Sequence, residues 1–327
     1  MRVPQESESV SGMLLNSKAL RPLISIVTLV LFIVWVAWYA AGHWRDFAVI
    51  ADVAWPNLLG LYLVFVGILM VNGLYTRYVL LAFGVHLRFK EWVFLSIAST
   101  ATNYITFFRG GAGVRALYLK LHYQFSFTDF LSTLSAMYIM YFLFNGVLGL
   151  ASMALLAGNK AGYNLLLTLA FAGLTVLSAA VMLLNIRVPE YNMFPFRQIA
   201  RIINGWDAIR KNRVLCAKLL GNTALYTLLM VLQTKLAFFT YGVKLSWGAV
   251  FCFTSVKGLA LLAAITPGSL GIVEWLSVYL SRILPYTGSE ALMAQALMRA
   301  VSLTTLLVTG PLAVHYLGVR FLRNENS

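Results

Sequence analysis

Thr266-Pro267-Gly268-Ser269-Leu270-Gly271-Ile272-Val273-Glu274 interrupts an apolar run that extends from Ser246 to Arg282. A carboxylate, a proline and two glycines stand between two hydrophobic arms, each about 15 to 20 residues by pattern. Such an arm barely crosses a hydrocarbon core of ~30 Å, which needs ~20 helical residues. Non-helical backbone at membrane depth is tolerated only where protein buries it or a wet cavity hydrates it. A carboxylate there is costly unless paired or hydrated. The stretch is therefore expected to be a re-entrant helical hairpin whose tip lines a polar cavity.

The rest of the chain agrees in kind. Apolar residues make up 60% and charged residues 11%, with a mean hydropathy of +0.80, which excludes an ordinary soluble domain. The loops are short, so no separate soluble enzymatic domain is expected. The N-terminal residues 1–22 are mostly polar and precede a run of full spanning length, reading as a cytoplasmic tail rather than a cleavable leader. Cys216 and Cys252 both fall in apolar segments and read as packed hydrophobes. The four histidines are scattered without ligand spacing, so neither a metal nor another cofactor is expected. The net charge of +14 fits cytoplasmic loops facing anionic head groups. Nucleic acid is not an expected partner, because no soluble basic module is present.

Taken in order, the pattern predicts an all-α polytopic membrane protein with six full spans and two re-entrant hairpins. Full spans are expected at Leu23–Gly42, Leu58–Val85, Ser126–Ala157, Tyr163–Ile186, Leu215–Tyr241 and Glu290–Leu317, the last kinked at Gly310-Pro311. One transmembrane domain then covers 23–320, with a short tail at 321–327. Between the fourth and fifth spans, 190–213 reads as an amphipathic surface helix, with Ile199, Ile202, Ile203, Trp206 and Ile209 at helical spacing among arginines. About 13 loop Lys and Arg fall on one side and about 4 on the other, which puts both termini in the cytoplasm.

The first hairpin is Trp92 to Lys120, broken at Arg109-Gly110-Gly111-Ala112-Gly113-Val114-Arg115. Gly110-x-x-Gly113 and Gly268-x-x-Gly271 are 158 residues apart. The same offset nearly superposes the flanking elements, and Ser126-x-x-Asp129 and Thr287-x-x-Glu290 open the following spans with similar caps. An odd number of crossings separates the units, giving an inverted repeat of about 58–158 and 214–317. Inverted repeats with broken helices meeting near the midplane are characteristic of secondary transporters.

Charges inside the apolar segments locate the chemistry. Arg109, Arg115, Lys257, Arg299 and Glu274 lie in or against such segments; Arg77 and Lys235 sit nearer span ends and read as snorkelling. Glu274 can neutralise one or two cations, with Lys257 and Arg299 nearest by topology. The remaining positive charge calls for an anion, above all a phosphate. Helix N-termini following Gly110-Gly111 and Gly268 are expected to add N–H donors. Asn103, Thr106, Thr266 and Ser269 supply polar groups to the tips, either for a ligand or for freed backbone. The alternative for the charges is an ion-pair network that only locks the bundle. No second carboxylate within the apolar segments accompanies Glu274, and no histidine stands suggestively near a serine or cysteine, so catalysis lacks its parts.

Pro267-Gly268-x-Leu270-Gly271-x-x-Glu274 resembles the signature of the lysylphosphatidylglycerol synthase transmembrane (flippase-like) family. Arg109-Gly110-Gly111 through Arg115-Ala116 is similar to its first-half motif, and Asn103 and Arg299 fall where that family tends to carry Asn and Arg. The likeness runs from about Leu58 to Leu317. It departs at Phe107-Phe108 and Ala112, where the family often has a proline and an acidic residue. The resemblance implies a lipid-handling protein of the cell (inner) membrane, without identifying the lipid.

The expectation is a non-enzymatic, flippase-like transporter of an anionic lipid: a phospholipid, an aminoacylated phospholipid or an isoprenoid-phosphate-linked glycolipid. Its substrate site would comprise Arg109, Arg115, Lys257, Glu274, Arg299, Asn103, Gly110, Gly111, Thr266, Pro267, Gly268 and Gly271. The alternative is a non-transporting scaffold that presents lipid to a separate synthase or glycosyltransferase, a lipid-modifying partner enzyme. An integral-membrane transferase using Glu274 as base is a third, weaker reading.

Overall fold

The computed structural model describes residues 53–106, 110–158, 163–183, 209–260 and 267–323. The expected first span Leu23–Gly42, most of the basic segment 190–213, Arg109 and Thr266 lie outside these residues. Among the described residues all regular structure is helical: α1 (Trp55–Leu81), α2 (Phe89–Ile105), α3 (Gly111–Tyr123), α4 (Phe127–Ala157), α5 (Leu165–Leu183), α6 (Arg213–Thr240), α7 (Trp247–Leu259), a 3-10 turn (Pro267–Ser269), α8 (Ile272–Leu280) and α9 (Gly288–Arg323). Five are long and apolar enough to cross a membrane: α1, α4, α5, α6 and the Gly288–Gly318 part of α9.

The helix boundaries follow from local chemistry. Pro56 sits in the opening turn of α1, where its missing N–H is harmless. Ser126 Oγ accepts the Asp129 N–H at 3.0 Å to start α4. Thr287 Oγ1 accepts that of Glu290 at 3.2 Å and starts α9, as the spacing predicts. Asn212 and Ser246 cap α6 and α7 in the same way. Proline does not interrupt α9, which stays helical through Pro311. The paired arms are short: α2 and α3 have 17 and 13 residues, α7 and α8 have 13 and nine. Within the described residues α7 and α8 are shorter than the pattern's arms, and the turns at Gly268 and Gly271 stand directly before α8.

Repetition is visible in the backbone. α1 and α6 start at Trp55 and Arg213, and α2 and α7 at Phe89 and Trp247, 158 residues apart in both cases. α1 and α6 also end alike. Gly84 and Gly242 both take φ +76, while the Val85 and Val243 N–H groups reach back to the Leu80 and Phe238 carbonyls at 3.0 and 3.1 Å. Glycine adopts that left-handed conformation without strain. Packing is reciprocal. α1 lies along α6, α2 packs on α9, and α7 packs on α4. The first arm of each hairpin, α2 or α7, thus docks on the long helix of the other unit, which brings the broken tips together, while α8 packs on α9 of its own unit. α5 packs mainly on α4 and exposes Leu166, Leu169, Val176 and Leu177, a surface suited to lipid. Ile209, expected on a surface helix, is instead fully buried against Tyr75, Val79 and Leu219.

Candidate functional site

The first tip is built by α2 reaching up to α3. Asn103 Oδ1 accepts the Gly111 N–H at 3.0 Å and Thr106 Oγ1 that of Gly110 at 2.9 Å. Ser99 Oγ donates to the Gly111 carbonyl at 2.8 Å. The helices meet so closely that a Cβ on Gly111 would stand 2.0 Å from the Ser99 carbonyl oxygen. These bonds narrow one expectation: the Gly110 and Gly111 N–H groups at the start of α3 are held by α2 side chains and are not free for an anion. Backbone groups freed at a helix break must be paired internally where water is scarce, and the short side chains of α2 are nearest.

At the second tip the chain turns through three left-handed residues, Gly268 (φ +57), Ser269 (φ +54) and Gly271 (φ +80). The Gly271 N–H then donates to Glu274 Oε2 at 2.8 Å, so this donor too is held within the chain. Glu274 Oε1 lies 2.6 Å from Arg299 Nη2, which ties α8 to α9 and makes Arg299 the counter-ion. The two tips touch: a Cβ on Gly268 would come 2.9 Å from the Tyr104 ring of α2.

Where the tips meet, a cavity of about 330 Å³ opens between α1, α2, α4, α6 and α9. Arg115, Lys257, Arg299, Asn103 and Gly268 all line it. Arg115 is 8% exposed, hydrogen-bonds Thr76 Oγ1 through Nη1 at 3.3 Å, and its Nε has no partner. Among the described residues the Lys257 ammonium has one hydrogen-bond contact, the Met298 Sδ at 3.5 Å, and a thioether is a weak acceptor. Neither cation meets a carboxylate among the described residues. Two more cations stand apart. Lys235 donates to the Leu245 carbonyl and lies 4.8 Å over the Trp247 ring, holding the start of α7, and Arg77 is exposed.

The fold adds residues that the motifs leave out. Tyr104, Tyr138 and Tyr226, with Asn72, Asn222, Gln233 and Gln295, share the cavity wall. A carboxamide inside an apolar span is itself a signal, and Asn222 and Gln233 on α6 carry it. A second carboxylate, Glu91, stands in the first turn of α2, outside the five candidate spans. Glu91 is fully buried, accepting from Tyr118 and Tyr123 hydroxyls at 2.9 and 2.7 Å and from the Arg88 N–H at 2.7 Å. Adjacent Lys90 makes Glu91 look like a loop residue in sequence, but as the N3 residue of α2 it turns inward.

No curated protein matches the chain. The family model described as the lysylphosphatidylglycerol synthase TM region matches residues 21–310, a stretch that contains both tips and the charged residues of the cavity. By that match, this membrane protein belongs to the lysylphosphatidylglycerol synthase TM-region family.

Proposed function

We propose that the protein is a non-catalytic, flippase-like transporter that passes the head group of an anionic lipid through the central cavity while the acyl or isoprenoid tails stay in the bilayer. The observation that carries this reading is that two cations, buried Arg115 and half-buried Lys257, line the same cavity without a carboxylate partner among the described residues. Unpaired buried charge is destabilising, and a lipid phosphate supplies the missing acceptors. Family membership supports a lipid-related role. The paired short arms are read as re-entrant hairpins, and the 158-residue offset with reciprocal packing supports an inverted repeat. With six spans and both termini in the cytoplasm of a cell (inner) membrane, exchange would proceed by one unit rocking against the other.

The test is leaflet exchange in reconstituted vesicles carrying fluorescent phosphatidylglycerol, read by dithionite bleaching. Wild-type protein is expected to expose the inner-leaflet half of the label, and Arg115→Gln or Lys257→Gln to slow exchange by tenfold or more, ~1.4 kcal/mol or more at the barrier. If no anionic lipid is exchanged while the same variants still lose lipid binding, the protein is a scaffold presenting lipid to a partner enzyme.

A further inference from the structure

We infer that the cavity selects a head group with two negative charges on phosphate joined to an uncharged polyhydroxyl group, and rejects one that carries an ammonium. This rests on the anionic-lipid reading and narrows its substrate.

The charge balance comes first. Three cations line the cavity, Arg115, Lys257 and Arg299. Four acids lie among the described residues, and each is engaged. Glu274 pairs with Arg299, and Glu91 is held by Tyr118 and Tyr123. Asp129 is bound by Ser126, and Glu290 by Thr287, at the exposed starts of α4 and α9. Among the described residues two formal positive charges therefore remain, on Arg115 and Lys257. A phosphodiester with one negative charge balances half of this. A diphosphate or phosphomonoester balances all of it, and its several oxygens offer acceptors to both cations that line the cavity. An aminoacyl head brings one or two ammonium groups into a space lined by no free carboxylate among the described residues. Repulsion between like charges is strong at low dielectric.

The neutral part of the wall points the same way. Tyr104 and Tyr138 offer ring faces and hydroxyls; Asn72, Asn103 and Gln233 offer carboxamides that both donate and accept. The NH2 of Asn103 carries no hydrogen bond among the described residues, since only its oxygen is used by Gly111. Rings with paired donor and acceptor groups suit a polyol, whose hydroxyls do both and whose C–H faces lie on aromatic rings.

Equilibrium binding by full-length protein in detergent, at fixed ionic strength, tests this without transport. The probes are a long-chain prenyl diphosphate glucose, phosphatidylglycerol, lysylphosphatidylglycerol, glucose 1-phosphate and inorganic phosphate. The diphosphate glycolipid is expected to bind about tenfold tighter than phosphatidylglycerol and about a hundredfold tighter than the lysyl lipid. Lys257→Gln should erase most of the first gap. Lys257→Glu should strengthen lysyl-lipid binding, a gain that misfolding cannot produce. Lysyl lipid bound as tightly as the glycolipid by wild type overturns the inference and leaves anionic-lipid handling intact. Glucose 1-phosphate or inorganic phosphate bound as tightly as the glycolipid assigns the site to a soluble anion and overturns both, as does no binding of any lipid.

Discussion

Replacing Glu274 by Gln keeps the side chain's length and an oxygen for the Gly271 N–H but removes the charge facing Arg299. The two side chains are 24% and 10% exposed and 2.6 Å apart. Removing one partner of a fully buried pair costs ~3–5 kcal/mol, whereas exposed pairs contribute ~0–1 kcal/mol. Partial burial places Glu274→Gln between, at about 2 kcal/mol, since Arg299 has no other hydrogen bond among the described residues. A drop of about 3 °C in Tm follows for a chain of this size. Glu274→Ala also loses the Gly271 bond and should cost a further ~1 kcal/mol. The decisive measurement is a double-mutant cycle of Glu274→Gln and Arg299→Gln by thermal unfolding in detergent. A coupling of about 1.5 kcal/mol or more is expected. Additive single effects would refute the claim that this pair clamps α8 to α9.

Gly111→Ala places a methyl group against the Ser99 carbonyl, backbone that cannot move aside, and should lower folded yield by gel filtration. Gly113→Ala faces open space and should express as wild type. Gly268→Ala meets the Tyr104 ring at a positive φ and should destabilise by about 1–3 kcal/mol; Tyr104→Leu in the same chain should recover only the steric part in a Tm measurement. Tyr118→Phe and Tyr123→Phe each remove a hydrogen bond to buried Glu91, costing about 1.5–3 kcal/mol apiece. Their effect should shrink in a Glu91→Gln background, where the charge-assisted character of both bonds is gone.

Much of the helical plan was legible in one dimension. Apolar runs of spanning length, the Ser126 and Thr287 caps and the glycine-broken stretches are local properties, and the corresponding helices begin and end within a few residues of their expected places. Less was legible where several elements share a residue. Asn103 and Thr106 serve the α3 N-terminus, although sequence left ligand and backbone roles equally open. Glu91 lies beside Lys90 in sequence, and only the inward turn of α2 buries it. Gly84-Val85 and Gly242-Val243 carry the 158-residue repeat as clearly as the glycine motifs, but their likeness is one of dihedral angles.

Membership in the lysylphosphatidylglycerol synthase TM-region family, the all-helical class and the presence of charged residues in or against apolar stretches were written in composition and motif, because hydropathy and helix breaking act over a few neighbouring residues. Which cation Glu274 neutralises was not. Arg299 and Lys257 are both near by topology, and the choice of Arg299 depends on how α8 lies against α9. That leaves Lys257 and Arg115 without a carboxylate among the described residues. The charge of a cavity is a sum over side chains from several helices, so only their packing could decide it.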